Sequence, residues 1–203
     1  MARLSVELKR YFFEEEREAK VKLADILLLA EERIFGFLFV ILSLPSALPI
    51  PAPGYSIPFG VLMFLLAIQL LGGAKQPWLP AKMMNGSMKL ESVQGVVKGG
   101  MPWLERIEAI TRPRMSYICT SLSGRIVIGV AIALMSVFMM IPIPGTNTLP
   151  AMGIFITAFG MQEDDGLISL GGLVVCLIAT VVVLGILVGG FNVLHLLKDY
   201  IFS

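Results

Sequence analysis

Five apolar stretches constrain this chain more than any other feature: residues 34–50, 57–73, 126–143, 149–161 and 167–191. A helix needs about 20 apolar residues, within roughly 17–25, to cross a bilayer. Stretch 167–191 meets that comfortably, 34–50 and 126–143 are marginal, 57–73 is short, and 149–161 is too short to cross alone. The chain has 203 residues, 56% of them hydrophobic and 15% charged, where soluble domains carry about 25% charged residues. A soluble fold would leave too much apolar surface against water. These features predict an all-α integral membrane protein whose short stretches, interrupted by Pro and Gly, form broken or re-entrant helices. Such irregular backbone is tolerated at membrane depth only where protein or a wet cavity satisfies it.

Charge sets the orientation. Residues 75–124 form a polar connector holding Lys75, Lys82, Lys89, Lys98, Arg106, Arg112 and Arg114, with Pro77, Pro80, Pro102 and Pro113 as breaks and helical pieces expected at 87–98 and 103–111. Residues 4–32 read as one or two amphipathic helices, basic at Lys9, Arg10, Arg17, Lys20 and Lys22. The loops 51–56, 144–148 and 162–166 contain no Lys or Arg. The positive-inside rule therefore places the N-terminus and the connector in the cytoplasm of a multi-pass protein of a bacterial inner membrane. The charged N-terminus lacks the apolar core and cleavage site of a secretory leader, so it is expected to stay on the mature protein.

The chain repeats itself. Arg33-Ile34-Phe35-Gly36 opens one half (33–74) and Arg125-Ile126-Val127-Ile128-Gly129 the other (125–166). Pro49-Ile50-Pro51-Ala52-Pro53-Gly54 answers to Pro142-Ile143-Pro144-Gly145, and Gln69 to Gln162. Proline removes a backbone donor and frees carbonyls, and the half-helix after it offers unpaired N–H groups and a positive dipole end. Paired breaks of this kind mark midplane sites in secondary transporters; the plainer reading is two hairpins with tight proline turns at the membrane surface. Whether the halves are parallel or inverted stays open at this level.

The candidate substrate contacts are accordingly Pro51, Gly54, Gln69, Pro144, Gly145, Asn147 and Gln162. An amide in lipid is costly unless bonded, so Gln69 and Gln162 face either protein or solute, and Asn147 either caps the next half-helix or lines the site. Asp165, beside Glu163 and Asp164, is the candidate for proton or cation coupling, or else part of an exposed acidic turn closed by Gly166. Arg33 and Arg125 either snorkel to the interface or gate the site with Asp165 or Glu32. His195 follows the last span as an interface residue. Gly185 and Gly189 make a GxxxG pattern that suits a helix contact or a homodimer. Cys119 and Cys176 read as buried thiols. No CxxC, HExxH, P-loop or GxSxG is present, and no basic run suits nucleic acid, so no enzyme, metal, cofactor or nucleic-acid partner is expected. The expected partners are a small solute or ion, membrane lipids and a second copy of the chain.

Several short motifs occur in one order: Glu32-Arg33 with Gly36; Gln69 with Gly72; Trp78-Leu79-Pro80; Glu105-Arg106 with Arg112-Pro113-Arg114; Pro142-Ile143-Pro144 with Asn147 and Leu149-Pro150; and Gly160 with Asp165-Gly166. In this the chain resembles the ExoD family of bacterial membrane proteins, from about residue 3 to its end. It departs from the family pattern in Met161 and in the extra-acidic run Glu163-Asp164-Asp165. The resemblance implies a link to exopolysaccharide synthesis and to tolerance of alkaline conditions, and supplies no catalytic motif. Two functions are then expected: first, a small secondary transporter or channel-like carrier of a polar or cationic solute or ion, for instance an amino acid; second, an interaction or regulatory protein attached to exopolysaccharide synthesis or export machinery.

Overall fold

The computed structural model describes residues 4–14, 20–22, 34–47, 56–74, 76–78, 87–90, 94–95, 98, 101–102, 105, 109, 111–141 and 146–202, with only the backbone described at 4, 7, 8, 20–22, 87–89 and 190–202. The architecture is helical. Helix α1 (Leu4–Lys9) continues into a π-helical turn over Arg10–Glu14 that buries Tyr11 and Phe12. The apolar stretches become α2 (Ile34–Ala47), α3 (Ser56–Leu71), α5 (Leu122–Met140), α6 (Thr148–Gln162) and α7 (Gly166–Phe202), and α4 (Tyr117–Thr120) is a single turn leading into α5. Two expectations are corrected. The segment expected to begin a connector helix at 87 holds a strand, β2 (Ser87–Lys89), and the N-terminal helical region holds another, β1 (Lys20–Lys22). They pair antiparallel, with Lys20 opposite Lys89 and Lys22 opposite Ser87. A non-local ladder has overridden the local amphipathic pattern.

Among the described residues, two helices are long and apolar enough to cross a membrane, Leu122–Met140 and the Gly166–Gly189 part of α7. Only 22% of the second window is buried within the chain, unlike the core helix of a soluble protein. This is a membrane protein. Helices α2, α3 and α6 have 14, 16 and 15 residues, or about 21–24 Å at 1.5 Å per residue, short of the roughly 30 Å hydrocarbon layer.

The packing is reciprocal: α2 lies against α6, α3 against α5, and α7 against α6. Close approach of backbones makes these contacts, as expected where lipid offers no hydrophobic drive between helices. A Cβ at Gly36, early in α2, would stand 3.1 Å from the Ala158 carbonyl and 3.0 Å from Gln162 Cβ, late in α6. At Gly129, early in α5, it would meet Leu71 and the Ala67 carbonyl, late in α3. Both pairs are therefore antiparallel. Buried Ser43 and Ser136, at matching places in α2 and α5, each donate to the carbonyl four residues back, Phe39 at 2.6 Å and Ile132 at 2.7 Å. Between the pairs lie Phe39, Met63, Ile132, Met135, Met139 and Ile154, all fully buried.

The thiol of Cys119, just before α5, donates to the Gly160 carbonyl near the end of α6. That contact places the start of α5 beside the end of α6. The starts of α2, α5 and α7 and the ends of α3 and α6 accordingly gather on one side of the bundle, called here the polar end.

Candidate functional site

The polar end is built around a corner. Helix α6 closes with Asp165 N–H donating to the Gly160 carbonyl at 2.9 Å and Glu163 N–H to that of Phe159 at 3.1 Å, while Asp164 takes the left-handed φ of 53°. This six-to-one closure is the Schellman ending, with an aspartate where glycine is usual. Asp165 then starts α7 at once. Its Oδ1 accepts the N–H groups of Leu167 at 3.1 Å and Ile168 at 3.3 Å, which makes it the N-cap. Its Oδ2 accepts the N–H of Arg112 at 3.1 Å. Beside it, Gly166 N–H donates to the Arg114 carbonyl at 2.7 Å, and a Cβ at Gly166 would collide with the Met115 carbonyl oxygen. Asp165 is 1% exposed, and its charge is met by three backbone amides and the positive end of α7.

Behind the corner runs a seam of small residues between α6 and α7. Gly160 faces Ser169, Thr157 faces Gly172, and Gly153 faces Cys176 so closely that an added methyl would overlap at each glycine. Ser169 Oγ donates to the Thr157 carbonyl at 3.1 Å, stands 3.3 Å from Cys119 Sγ, and Thr157 Oγ1 stands 3.9 Å from Cys176 Sγ. Both thiols are buried and free. Burial pushes the Cys119 thiol above its ordinary value; the Ser169 hydrogen bond pulls the other way, and Asp164 and Asp165 add to the rise.

The other candidates separate. Gln69 binds the backbone of its own chain, with Oε1 accepting Trp78 N–H at 2.5 Å and Nε2 donating to the Trp78 carbonyl at 3.2 Å. This two-bond clamp leaves the Trp78 residue 76% exposed. Gln162, the last residue of α6, is buried against Gly36 of α2, its Oε1 has no partner among the described residues, and its Nε2 is 3.5 Å from Glu163 Oε1. The two glutamines thus occupy matching sequence positions but unlike surroundings. Asn147 occupies the N-cap position of α6 without the expected cap bond, because its backbone is already helical at φ −77°, ψ −25°; its Oδ1 is buried without a partner among the described residues. Arg125 is half-buried in the first turn of α5 and is not among the partners of Asp165. Glu32, Arg33, Pro51, Gly54, Pro144 and Gly145 lie outside the described residues.

Sequence reasoning missed the Cys119–Ser169–Thr157–Cys176 chain. Its signal was present in the small residues Gly153, Thr157 and Gly160 at helical spacing, opposite Ser169, Gly172 and Cys176. It also missed Ser46, whose buried Oγ near the end of α2 has no partner among the described residues.

Comparison with known proteins decides the family. Residues 4–185 match the family described as "Exopolysaccharide synthesis, ExoD". The chain belongs to the ExoD family. An uncharacterized protein of Synechocystis is 53% identical over 205 residues, covering 99% of this chain and 97% of that one. Protein ExoD of Rhizobium meliloti is 27% identical over 155 residues, covering 75% of this chain and 64% of that protein. No solved structure matches. Membership links this ExoD chain to exopolysaccharide synthesis, and the expected resemblance holds over nearly the whole chain.

Proposed function

We propose that this ExoD protein is a multi-pass component of a bacterial inner membrane that serves exopolysaccharide synthesis or export by docking its polar end onto the machinery. The observation that carries the reading is the use made of Asp165. The carboxylate that a proton-coupled carrier would need is committed to three backbone amides at a helix corner. The paired-glutamine site loses its symmetry in the same way, because Gln69 is spent on Trp78. What the polar end offers instead is a firmly supported surface with exposed aromatics, Trp78 held by Gln69 and Tyr117, 62% exposed, at the start of α4. Aromatic anchors on rigid supports are the usual energetic centres of protein interfaces. The family's tie to exopolysaccharide synthesis supports the same reading.

Within this proposal the two hairpins are parallel repeats. The matched glycines Gly36 and Gly129 and the matched serines Ser43 and Ser136 support it. A homodimer would use Gly185 and Gly189, where an added methyl would meet nothing among the described residues. The chain is expected to act without enzymatic chemistry of its own. A photo-crosslinking residue at position 78 or 117, introduced in living cells, tests the docking. Capture of an identified polysaccharide-synthesis or export subunit from these positions, and not from lipid-facing Val181, supports it; equal capture from all three contradicts it.

A further inference from the structure

Arg112 and Arg114 flank Pro113 in a segment laid across the start of α7. Two backbone bonds fix that segment, Arg112 N–H to Asp165 Oδ2 and Gly166 N–H to the Arg114 carbonyl. Met115 then turns the chain through a left-handed φ of 50° into α4. Both arginines are exposed, and among the described residues neither guanidinium meets a carboxylate.

The outward face of α7 begins at the same point. Leu167, Leu170, Val174, Leu177 and Val181 are all exposed and follow one another at steps of three and four, the spacing of a single helical face. Gly171, beside them, has open space where a side chain would stand. Two backbone-fixed cations therefore stand at the head of an apolar strip on a membrane helix. A lipid supplies both complements at once. Its acyl chain covers the strip, and its phosphate takes the donors of two guanidinium groups, which match phosphate oxygens in pairs. A protein helix fits the strip but needs its own anion at this level to satisfy the arginines.

We infer that Arg112 and Arg114, with the outward face of α7, form a binding site for one anionic glycerophospholipid. The site rests on the membrane placement of α7 and is independent of any role in polysaccharide synthesis. Purified full-length protein in detergent, offered equimolar dioleoyl-phosphatidylglycerol and dioleoyl-phosphatidylcholine, is read by native mass spectrometry. Phosphatidylcholine carries the same phosphate, but its choline cation cancels the net charge, and each arginine near an anionic headgroup contributes about fivefold in affinity. The wild type should therefore retain phosphatidylglycerol over phosphatidylcholine by at least roughly tenfold, less so as sodium chloride rises. The pair Arg112→Ala and Arg114→Ala should lose the preference with helicity unchanged, Arg112→Lys and Arg114→Lys should keep part of it, and Val174→Asn should weaken retention of both lipids. Equal retention of the two lipids by the wild type overturns the site. So does a preference unmoved by salt, one unmoved in the alanine pair, or full displacement by millimolar inorganic phosphate, which would make a free anion the ligand.

Discussion

Asp165 Oδ2 accepts the backbone N–H of Arg112 at 3.1 Å while Oδ1 caps the first turn of α7. One carboxylate thus joins the connector to the membrane bundle, and the polar end keeps its shape through that residue.

Removing it leaves three amide donors unmet in a buried place. Asp165→Ala should lower stability by about 1–3 kcal/mol, the range of a lost cap together with unsatisfied buried donors. Asp165→Asn keeps an acceptor oxygen for the cap and should cost less. Thermal unfolding of the purified variants in detergent checks the order; an alanine variant as stable as the wild type would remove the corner from the account.

The small-residue seam makes an opposite pair of forecasts. Gly172→Ala pushes a methyl into the Thr157 backbone and should cost about 1–3 kcal/mol by overpacking. Gly171→Ala meets open space and should leave stability unchanged or raise it by up to about 1 kcal/mol through helix propensity. The same unfolding measurement compares them.

Gln69 and Gln162 should respond differently to the same treatment. Gln69→Ala releases the backbone of an already exposed Trp78 and should lower stability by about 1 kcal/mol, the net worth of a lost hydrogen bond, with tryptophan emission unshifted. Gln162→Met removes a buried amide oxygen that has no partner and should leave stability unchanged or improved. Emission spectra and melting curves, taken together, distinguish the two sites from a symmetric pair, which would respond alike.

Cys119 gives the chain a pH dependence. Its folded thiol holds its proton above the ordinary value of 9.0 because burial disfavours the thiolate. The folded state then binds the proton more tightly than the unfolded state. The resulting stability is fully present below the unfolded value and is lost as pH rises through the raised one. Melting temperature should fall at alkaline pH, and less steeply in Cys119→Ser. At neutral pH, thiolate reagents should modify Cys119 only after denaturation.

Much of the bundle was legible in the sequence because apolar runs in a membrane protein and helices nearly coincide. The run 149–161 became Thr148–Gln162, and 57–73 became Ser56–Leu71. The last helix continues past 191 to Phe202, since hydropathy tracks the lipid contact and says nothing of where backbone hydrogen bonding stops. The strand pair Lys20–Lys22 with Ser87–Lys89 was invisible to local pattern because its partners lie far apart in the chain. Asp165 carried its own cue, an acid directly before an apolar helix, which is a cap signal. Its place beside a membrane span drew the reading toward proton coupling instead.

The most direct test of docking through the polar end is exopolysaccharide secreted by a deletion strain carrying substituted copies at equal membrane levels. Trp78→Ser and Tyr117→Ser should cut output severalfold, while Gly54→Leu and Gly145→Leu, at the proline breaks, should leave it near wild type. The reverse pattern, with output lost at the breaks and preserved at the aromatics, would contradict docking and restore the carrier.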